Sequence, residues 1–327
     1  MKFLQVGLGS MGKRRIRNLL FHKILEKDIF GFDIDKKQYH EAEKLFKIKT
    51  FDNFDKAVEK IDPDVYIIST PPNLHAKYFL SAARAKKHFF VEVTTTNEGY
   101  AELDNLLDGT FIAAPSCTYR YFESIKLMRS LVKIGEIGKV EAFCHHMGQY
   151  LPDWHPWEDY RDFYVARHET SACREMVPFE LSWISYVLGK KIVDAVGFSG
   201  KVSDLAIETA DVYAVALKGE DGVLGTLLVD VISREPVRDF KVFGTEGVID
   251  WELAKREVRL KKPKEKWRIM KLAEGTKVGG YKTTTEEMYQ EEMKDFLDAV
   301  SGKSSYPYTF AEDQHNLDLL KKIEAVK

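Results

Sequence analysis

The chain has 327 residues, more than one ordinary globular core holds, and reads as two domains. Hydrophobic residues at 44% and charged residues at 31% are interspersed, which excludes a disordered chain, and no apolar run reaches the roughly 20 residues that cross a bilayer. Lys plus Arg total 49 against 51 for Asp plus Glu, a formal charge of −2, which excludes a dedicated nucleic-acid binder.

The first third alternates short β-rich runs with helical stretches. Lys2 to Val6, Asp28 to Phe32, Asp64 to Ser69, His88 to Val91 and Thr110 to Ala113 read as strands. Between them, Met11 to Phe21, Asp35 to Phe46 and Asn73 to Ala85 are long enough to be crossover helices, with Asn73 as the expected N-cap after Pro71 and Pro72. Strand-helix alternation with right-handed crossovers gives a Rossmann-type, doubly wound parallel sheet.

After Pro115 the texture changes, and a second, α+β domain is expected, with the boundaries 1–118 and 119–327. A helix near Tyr121 to Lys133 is followed by the break Gly135-Glu136-Ile137-Gly138 and longer strands. Ala210 to Leu217, Gly222 to Val231, Asp239 to Phe243 and Gly247 to Glu252 read as a large, mostly antiparallel open sheet, with Gly244-Thr245-Glu246-Gly247 turning one hairpin. The basic stretch Lys255 to Lys271 alternates with Val258, Leu260, Trp267 and Ile269, the pattern of a strand pair with a solvated face. Two helices, Thr285 to Val300 and Phe310 to Val326, close the chain.

Cys117, Cys144 and Cys173 are odd in number and widely spaced, so no disulfide framework is expected. Lys2 to Val6 enters a strand without a signal-peptide core, and the expectation is a cytoplasmic protein with no membrane and no nucleic-acid partner. No metal site is expected. Cys144, His145 and His146 are neighbours on a strand, where adjacent side chains point to opposite faces.

Gly7-Leu8-Gly9-Ser10-Met11-Gly12 follows the first strand and opens a helix, the context that gives a glycine pattern its meaning. The first glycine permits a tight turn, the second lets backbone N–H groups approach a pyrophosphate, and the third allows close packing of helix on strand. Asp33 ends the second strand, where a carboxylate accepts hydrogen bonds from the adenosine ribose. A 2′-phosphate would be repelled there, so NAD is favoured over NADP.

Four stretches resemble the oxidoreductase family typified by glucose-fructose oxidoreductase and inositol dehydrogenase. They are the glycine loop, Ser69-Thr70-Pro71-Pro72-Asn73-Leu74-His75, His88-Phe89-Phe90-Val91-Glu92, and Phe243-Gly244-Thr245-Glu246-Gly247. The resemblance implies an N-terminal Rossmann domain, a C-terminal domain whose open sheet makes a homo-oligomer, and a nicotinamide-dependent sugar or polyol dehydrogenase. It also implies that Thr70, Pro71, His75 and Glu92 line the cofactor cleft. Two expected catalytic residues are missing. Val93 stands where the family has lysine, and alignment on Leu188-Gly189 puts Glu175 at the family's aspartate and Phe179 at its histidine. A shift by one residue puts Glu180 there instead, as a buried carboxylate with a raised pKa that acts as the base.

Tyr150-Leu151-Pro152-Asp153-Trp154-His155-Pro156-Trp157-Glu158-Asp159-Tyr160-Arg161 packs aromatic, acidic and basic groups together. Trp154, Trp157 and Tyr160 offer flat rings for the apolar faces of a sugar, and His155 is the first choice of acid/base, ahead of Glu175 and Glu180. The bland alternative is that the tryptophans plug a seam and His155 caps a turn. Arg161, Arg167 and Arg174 suggest an anionic substrate, a sugar acid, sugar phosphate or nucleotide sugar, with a surface ion-pair set as the alternative. Arg120 resembles an arginine that braces the family's site. The expected function is NAD-dependent hydride transfer at a carbinol of a small, sugar-derived, anionic substrate, and the alternative is a dinucleotide-binding sensor or scaffold without turnover.

Overall fold

The protein is described from a computed structural model covering residues 1–154, 159–162, 164–168, 170–273, 275–276 and 285–325. The chain divides into two compact units, Met1–Cys117 with Tyr289–Gln314, and Thr118–Met288 with His315–Lys327.

In the first unit the order is β1 (Phe3–Val6), α1 (Ser10–Phe21), β2 (Ile29–Phe32), α2 (Lys36–Phe46), β3 (Lys49–Phe51), α3 (Phe54–Ile61), β4 (Val65–Ile68), α4 (His75–Arg84), β5 (His88–Val91), α5 (Tyr100–Leu106) and β6 (Ala113–Pro115). The strands form one parallel sheet in the order β3-β2-β1-β4-β5-β6. β1 and β4 are fully buried, and accordingly read as near-continuous apolar runs, FLQV and VYII. The short β3 and the helices α3 and α5 were not expected, and β6 begins at the last residue of the expected run. The order reverses between β1 and β4, and at such a reversal the crevice beyond the strands' carboxyl ends takes ligands.

This unit differs from the expected 1–118 domain. The segment Tyr289–Gln314 belongs to it, and Met293 and Phe296 join its core beside Phe3, Leu8, Ile16 and Phe90. Sequence order alone gave no hint of that return.

The second unit contains α6 (Glu123–Lys133), β7 (Val140–Gly148), α7 (Ala172–Leu188), β8 (Ile192–Gly200), β9 (Val212–Gly219), β10 (Leu224–Asp230), β11 (Val237–Gly244), β12 (Gly247–Glu252), β13 (Glu257–Lys261) and β14 (Arg268–Lys271). Two further helices, α8 (Glu286–Val300) and α9 (Phe310–Glu324), run across two of the three chain boundaries between the units. The eight strands run β14-β13-β12-β11-β7-β10-β9-β8, antiparallel except for the pair β7 and β10. β9 alternates buried Tyr213, Val215 and Leu217 with exposed neighbours, as a sheet with one covered face requires. The basic stretch does form the strand pair β13 and β14. α7 is capped at one end by the Ser171 hydroxyl, which accepts the Arg174 N–H, and at the other by Gly189 at φ 66°.

Candidate functional site

The turn between β1 and α1 is built by contact distances. Gly7 sits at φ 87°, and a Cβ there would lie 2.6 Å from the Ser69 carbonyl oxygen; a Cβ on Gly12 would lie 1.9 Å from the Gly7 carbonyl oxygen. Gly9 is different: a Cβ there would meet nothing within 4 Å. No side chain caps α1 at its start, and no acidic residue occupies its first turn. The first N–H groups of the helix, at exposed Ser10 and half-buried Met11, are thus left with the positive end of the helix dipole for an anion. These residues fit a dinucleotide diphosphate.

Asp33 follows β2 and is half-buried. One of its oxygens accepts the Leu8 N–H at 2.7 Å and the other the Asp35 N–H at 2.9 Å. The carboxylate therefore ties the glycine turn to the end of β2 and keeps lone pairs for ribose hydroxyls. The first of these two jobs was invisible in the sequence.

Thr70 and exposed Pro71 follow β4. The Thr70 carbonyl accepts the His75 Nε2–H at 2.8 Å, while the Thr70 hydroxyl and His75 Nδ1 are buried without partners. Burial pushes His75 down to about 4, so its ring is neutral near pH 7 and pins the turn from inside. The expected N-cap at Asn73 does not form. A 3₁₀ turn, Pro72–Leu74, intervenes, and α4 starts at His75 with no side-chain cap, because the two prolines impose a tighter turn first.

Glu92 follows β5 and accepts two hydrogen bonds from Arg15 of α1, Nε at 2.6 Å and Nη2 at 3.0 Å. Arg15, fully buried, also pairs with Glu292 of α8 at 2.8 Å. Its pKa is raised because the two carboxylates outweigh the cost of burial. Gln5 extends the network, its side-chain amide donating to the Gly7 carbonyl and to the Ser69 hydroxyl, each at 3.1 Å. Sequence reasoning missed Arg15 and Glu292. The available signal was position: Gly12, Arg15, Ile16 and Leu19 share the buried stripe of α1, where a charge demands a partner.

In the second unit, His155 and Trp157 lie outside the described residues. Trp154 is half-buried, and its indole N–H has no acceptor among the described residues. The Tyr160 hydroxyl accepts the Ala206 N–H at 3.0 Å. Arg161 is exposed and folds back onto Asp159, its Nε lying 2.8 and 2.9 Å from the two carboxylate oxygens. Arg174 pairs with Glu324 at 2.8 and 3.2 Å, and the same carboxylate accepts the Tyr213 hydroxyl at 2.9 Å. Arg161 thus forms a surface ion pair with Asp159, while the mostly hidden Arg174 pairs with distant Glu324, so both guanidiniums have a carboxylate partner. Arg120 is buried and donates to the Ser182 carbonyl at 3.0 Å, bracing α7, and Glu175 is partly buried in the first turn of that helix.

Glu180 does not have the raised pKa expected of it. Burial acts to raise it, but Arg238, His145 and Trp183 together overcome that and hold it below the usual carboxylate range. One oxygen accepts His145 Nε2 and Trp183 Nε1, both at 2.7 Å, and the other accepts Arg238 Nη2 at 2.7 Å. A carboxylate held ionised by three donors is a poor proton acceptor, so Glu180 serves as an anchor for α7. His145 and His146 part company as strand neighbours do: His145 meets Glu180, and His146 Nε2 meets Asp230 at 2.7 Å. Among the described residues no three ligand-type side chains gather around a metal position.

Residues 1–109 match the oxidoreductase family with an NAD-binding Rossmann fold, and residues 125–250 match the GFO/IDH/MocA C-terminal domain. Levoglucosan dehydrogenase of Pseudarthrobacter phenanthrenivorans is 25% identical over 228 residues, 60% of this chain and 57% of that protein. Myo-inositol 2-dehydrogenase of Thermotoga maritima is 24% identical over 258 residues, 75% of this chain and 73% of that one. Among solved structures, a levoglucosan dehydrogenase in complex with NADH and levoglucosan superposes with a TM-score of 0.81 at 17% identity, covering 99% of this chain and 96% of the other. With the glycine turn matched in one half and the large open sheet in the other, the chain belongs to the GFO/IDH/MocA family of oxidoreductases.

Proposed function

We propose that this protein is an NAD-dependent dehydrogenase that moves a hydride between the nicotinamide and a carbinol of a sugar-derived substrate. The observation that carries the reading is the uncapped start of α1 beyond Gly9, with Asp33 poised at the end of β2. Gly7 and Gly12 shape the turn, the N–H groups of Ser10 and Met11 take the diphosphate, and Asp33 takes the ribose while excluding a 2′-phosphate, which favours NAD over NADP. The dehydrogenase names of the curated relatives support the sugar class.

Bound nicotinamide supplies the hydride acceptor, and the chain must supply a group that takes the hydroxyl proton. Val93 and Phe179 cannot. His155 is the assigned base, with Glu175 of α7 as the second candidate. Titration calorimetry with NAD and NADP, followed by NADH formation over a panel of sugars, polyols and sugar acids, tests the reading. Tighter binding of NAD and turnover of at least one sugar support it; no heat with either nucleotide ends it. His155→Ala should lower turnover by roughly 10²-fold with NAD affinity intact. NAD binding without turnover on any sugar would favour a sensor, which the missing lysine and histidine also allow.

The exposed apolar residues Val196, Phe198 and Leu224 on β8 and β10 support self-association through this sheet, read as molar mass by light scattering. The odd, widely spaced cysteines support a reducing, cytoplasmic setting.

A further inference from the structure

Arg238 of β11 is nine-tenths buried, and its neighbours include the Glu180 carboxylate at 2.7 Å, the Met176 sulfur at 4.0 Å and Tyr119, whose hydroxyl interacts with the guanidinium. Its Nε is buried with no acceptor, and the Tyr119 hydroxyl, also buried, has none either. The guanidinium lies 4.4 Å from the centre of the Tyr119 ring and 5.9 Å from that of Phe179, and these two rings meet edge-on at 5.3 Å. Met176, Phe179 and Arg238 all retain some exposed surface, so the cluster is not sealed.

The Glu180 carboxylate is shared. His145 Nδ1 faces the Asp239 carbonyl at 2.5 Å and Nε2 faces Glu180 at 2.7 Å, so Arg238 divides its one carboxylate with the His145 ring and the Trp183 indole. A buried positive charge with a shared counter-charge is costly, and a single anionic oxygen pair would relieve it while filling the idle donors.

We propose that Arg238, with the Tyr119 hydroxyl, is the receptor for the carboxylate of a sugar-acid substrate, packed against Phe179. A guanidinium takes a carboxylate through two parallel hydrogen bonds, and the Arg238 Nε is free to supply one of them. The proposal rests on the dehydrogenase reading and gives it a substrate class on residues other than Arg161 and Arg174.

The test uses D-glucuronate, D-glucose and D-glucose 6-phosphate as probes of the whole protein, by calorimetry with and without NAD and by initial rates with NAD. Glucuronate should bind at least tenfold tighter than the other two. Arg238→Met should abolish that preference, and Tyr119→Phe should weaken it severalfold, with NAD affinity unchanged in both. Arg238→Met leaves Glu180 its His145 and Trp183 partners, so the fold should survive; Arg238→Lys, which keeps the charge, should retain part of the preference. Equal binding of glucuronate and glucose, absence of glucuronate binding, or a preference that persists in Arg238→Met overturns the proposal. NAD binding with turnover of neutral sugars would overturn it while leaving the dehydrogenase reading intact. Glucuronate binding in a protein that ignores NAD would do the reverse.

Discussion

Arg15 in the first unit and Arg238 in the second are both buried arginines facing glutamate, but their surroundings differ in counter-charge. Arg15 has two carboxylates, Glu92 and Glu292, whereas Arg238 shares Glu180 with His145. A cation with two counter-charges stays charged and stays put, so it suits a framework. A cation with a shared counter-charge is unfinished, and binding something can finish it. The contrast separates structural from functional charge where exposure alone does not, since both side chains are largely hidden.

The largest test of that contrast is removal of one counter-charge from the framework. Glu292→Ala should destabilise the protein by about 3–5 kcal/mol, read as a lower urea midpoint, because it deprives buried Arg15 of a carboxylate and the Cys117 N–H of its acceptor at 2.6 Å. A loss under about 1 kcal/mol would mean that Arg15 is no more dependent on its partners than a surface arginine.

Acid probes the first unit through its one buried neutral ring. His75 titrates near 6.5 when unfolded and about 4 when folded. The pKa is depressed on folding, so below 6.5 the unfolded chain takes up a proton that the native state refuses. Stability is present above 6.5 and drains away as the pH falls toward 4, by about 2 kcal/mol at about pH 5. His75→Gln, which keeps a donor for the Thr70 carbonyl, should flatten that part of the profile in urea melts. An unchanged slope would assign the acid sensitivity of that window to groups other than His75, and not to Glu180, whose contribution is lost only at lower pH.

Asp33→Ala should weaken NAD binding about tenfold, near 1.4 kcal/mol, by removing both a ribose acceptor and the acceptor of the Leu8 N–H. It should also narrow the preference over NADP. If NADP gains nothing, Asp33 acts only through the turn. The smallest effect belongs to the exposed pair: Arg161→Ala should leave turnover and KM within about twofold, as surface pairs usually do. A large rise in KM would restore Arg161 to the substrate site and weaken the contrast drawn from Arg238.

The sheet types of both units, the glycine turn and the place of Asp33 were readable because each rests on local rules: alternation of strand and helix, φ > 0 at Gly7, a carboxylate ending β2. Arg15, Glu292 and Arg238 were not readable, because their meaning depends on partners 77, 277 and 58 residues away in the chain, at Glu92 from Arg15, at Glu292 from Arg15 and at Glu180 from Arg238. The partner of Arg174 was hidden for the same reason. A sequence shows a charge without showing whether Asp159 or Glu324 has already claimed it. Glu180 was placed in the interior correctly, but its ionisation turned on donors from β7 and β11 that no helical spacing announces.

The return of Tyr289–Gln314 to the first unit bears on how the protein is made. A chain emerging from the ribosome exposes the glycine turn and five of its neighbouring strands early, yet Glu292, Met293 and Phe296 arrive only after Thr118–Met288 has been made. Until then Arg15 has one carboxylate and the apolar core lacks part of its lid. The first unit is therefore completed only after Thr118–Met288 has emerged, and the second in turn waits for His315–Lys327, so neither unit matures before most of the other has been made.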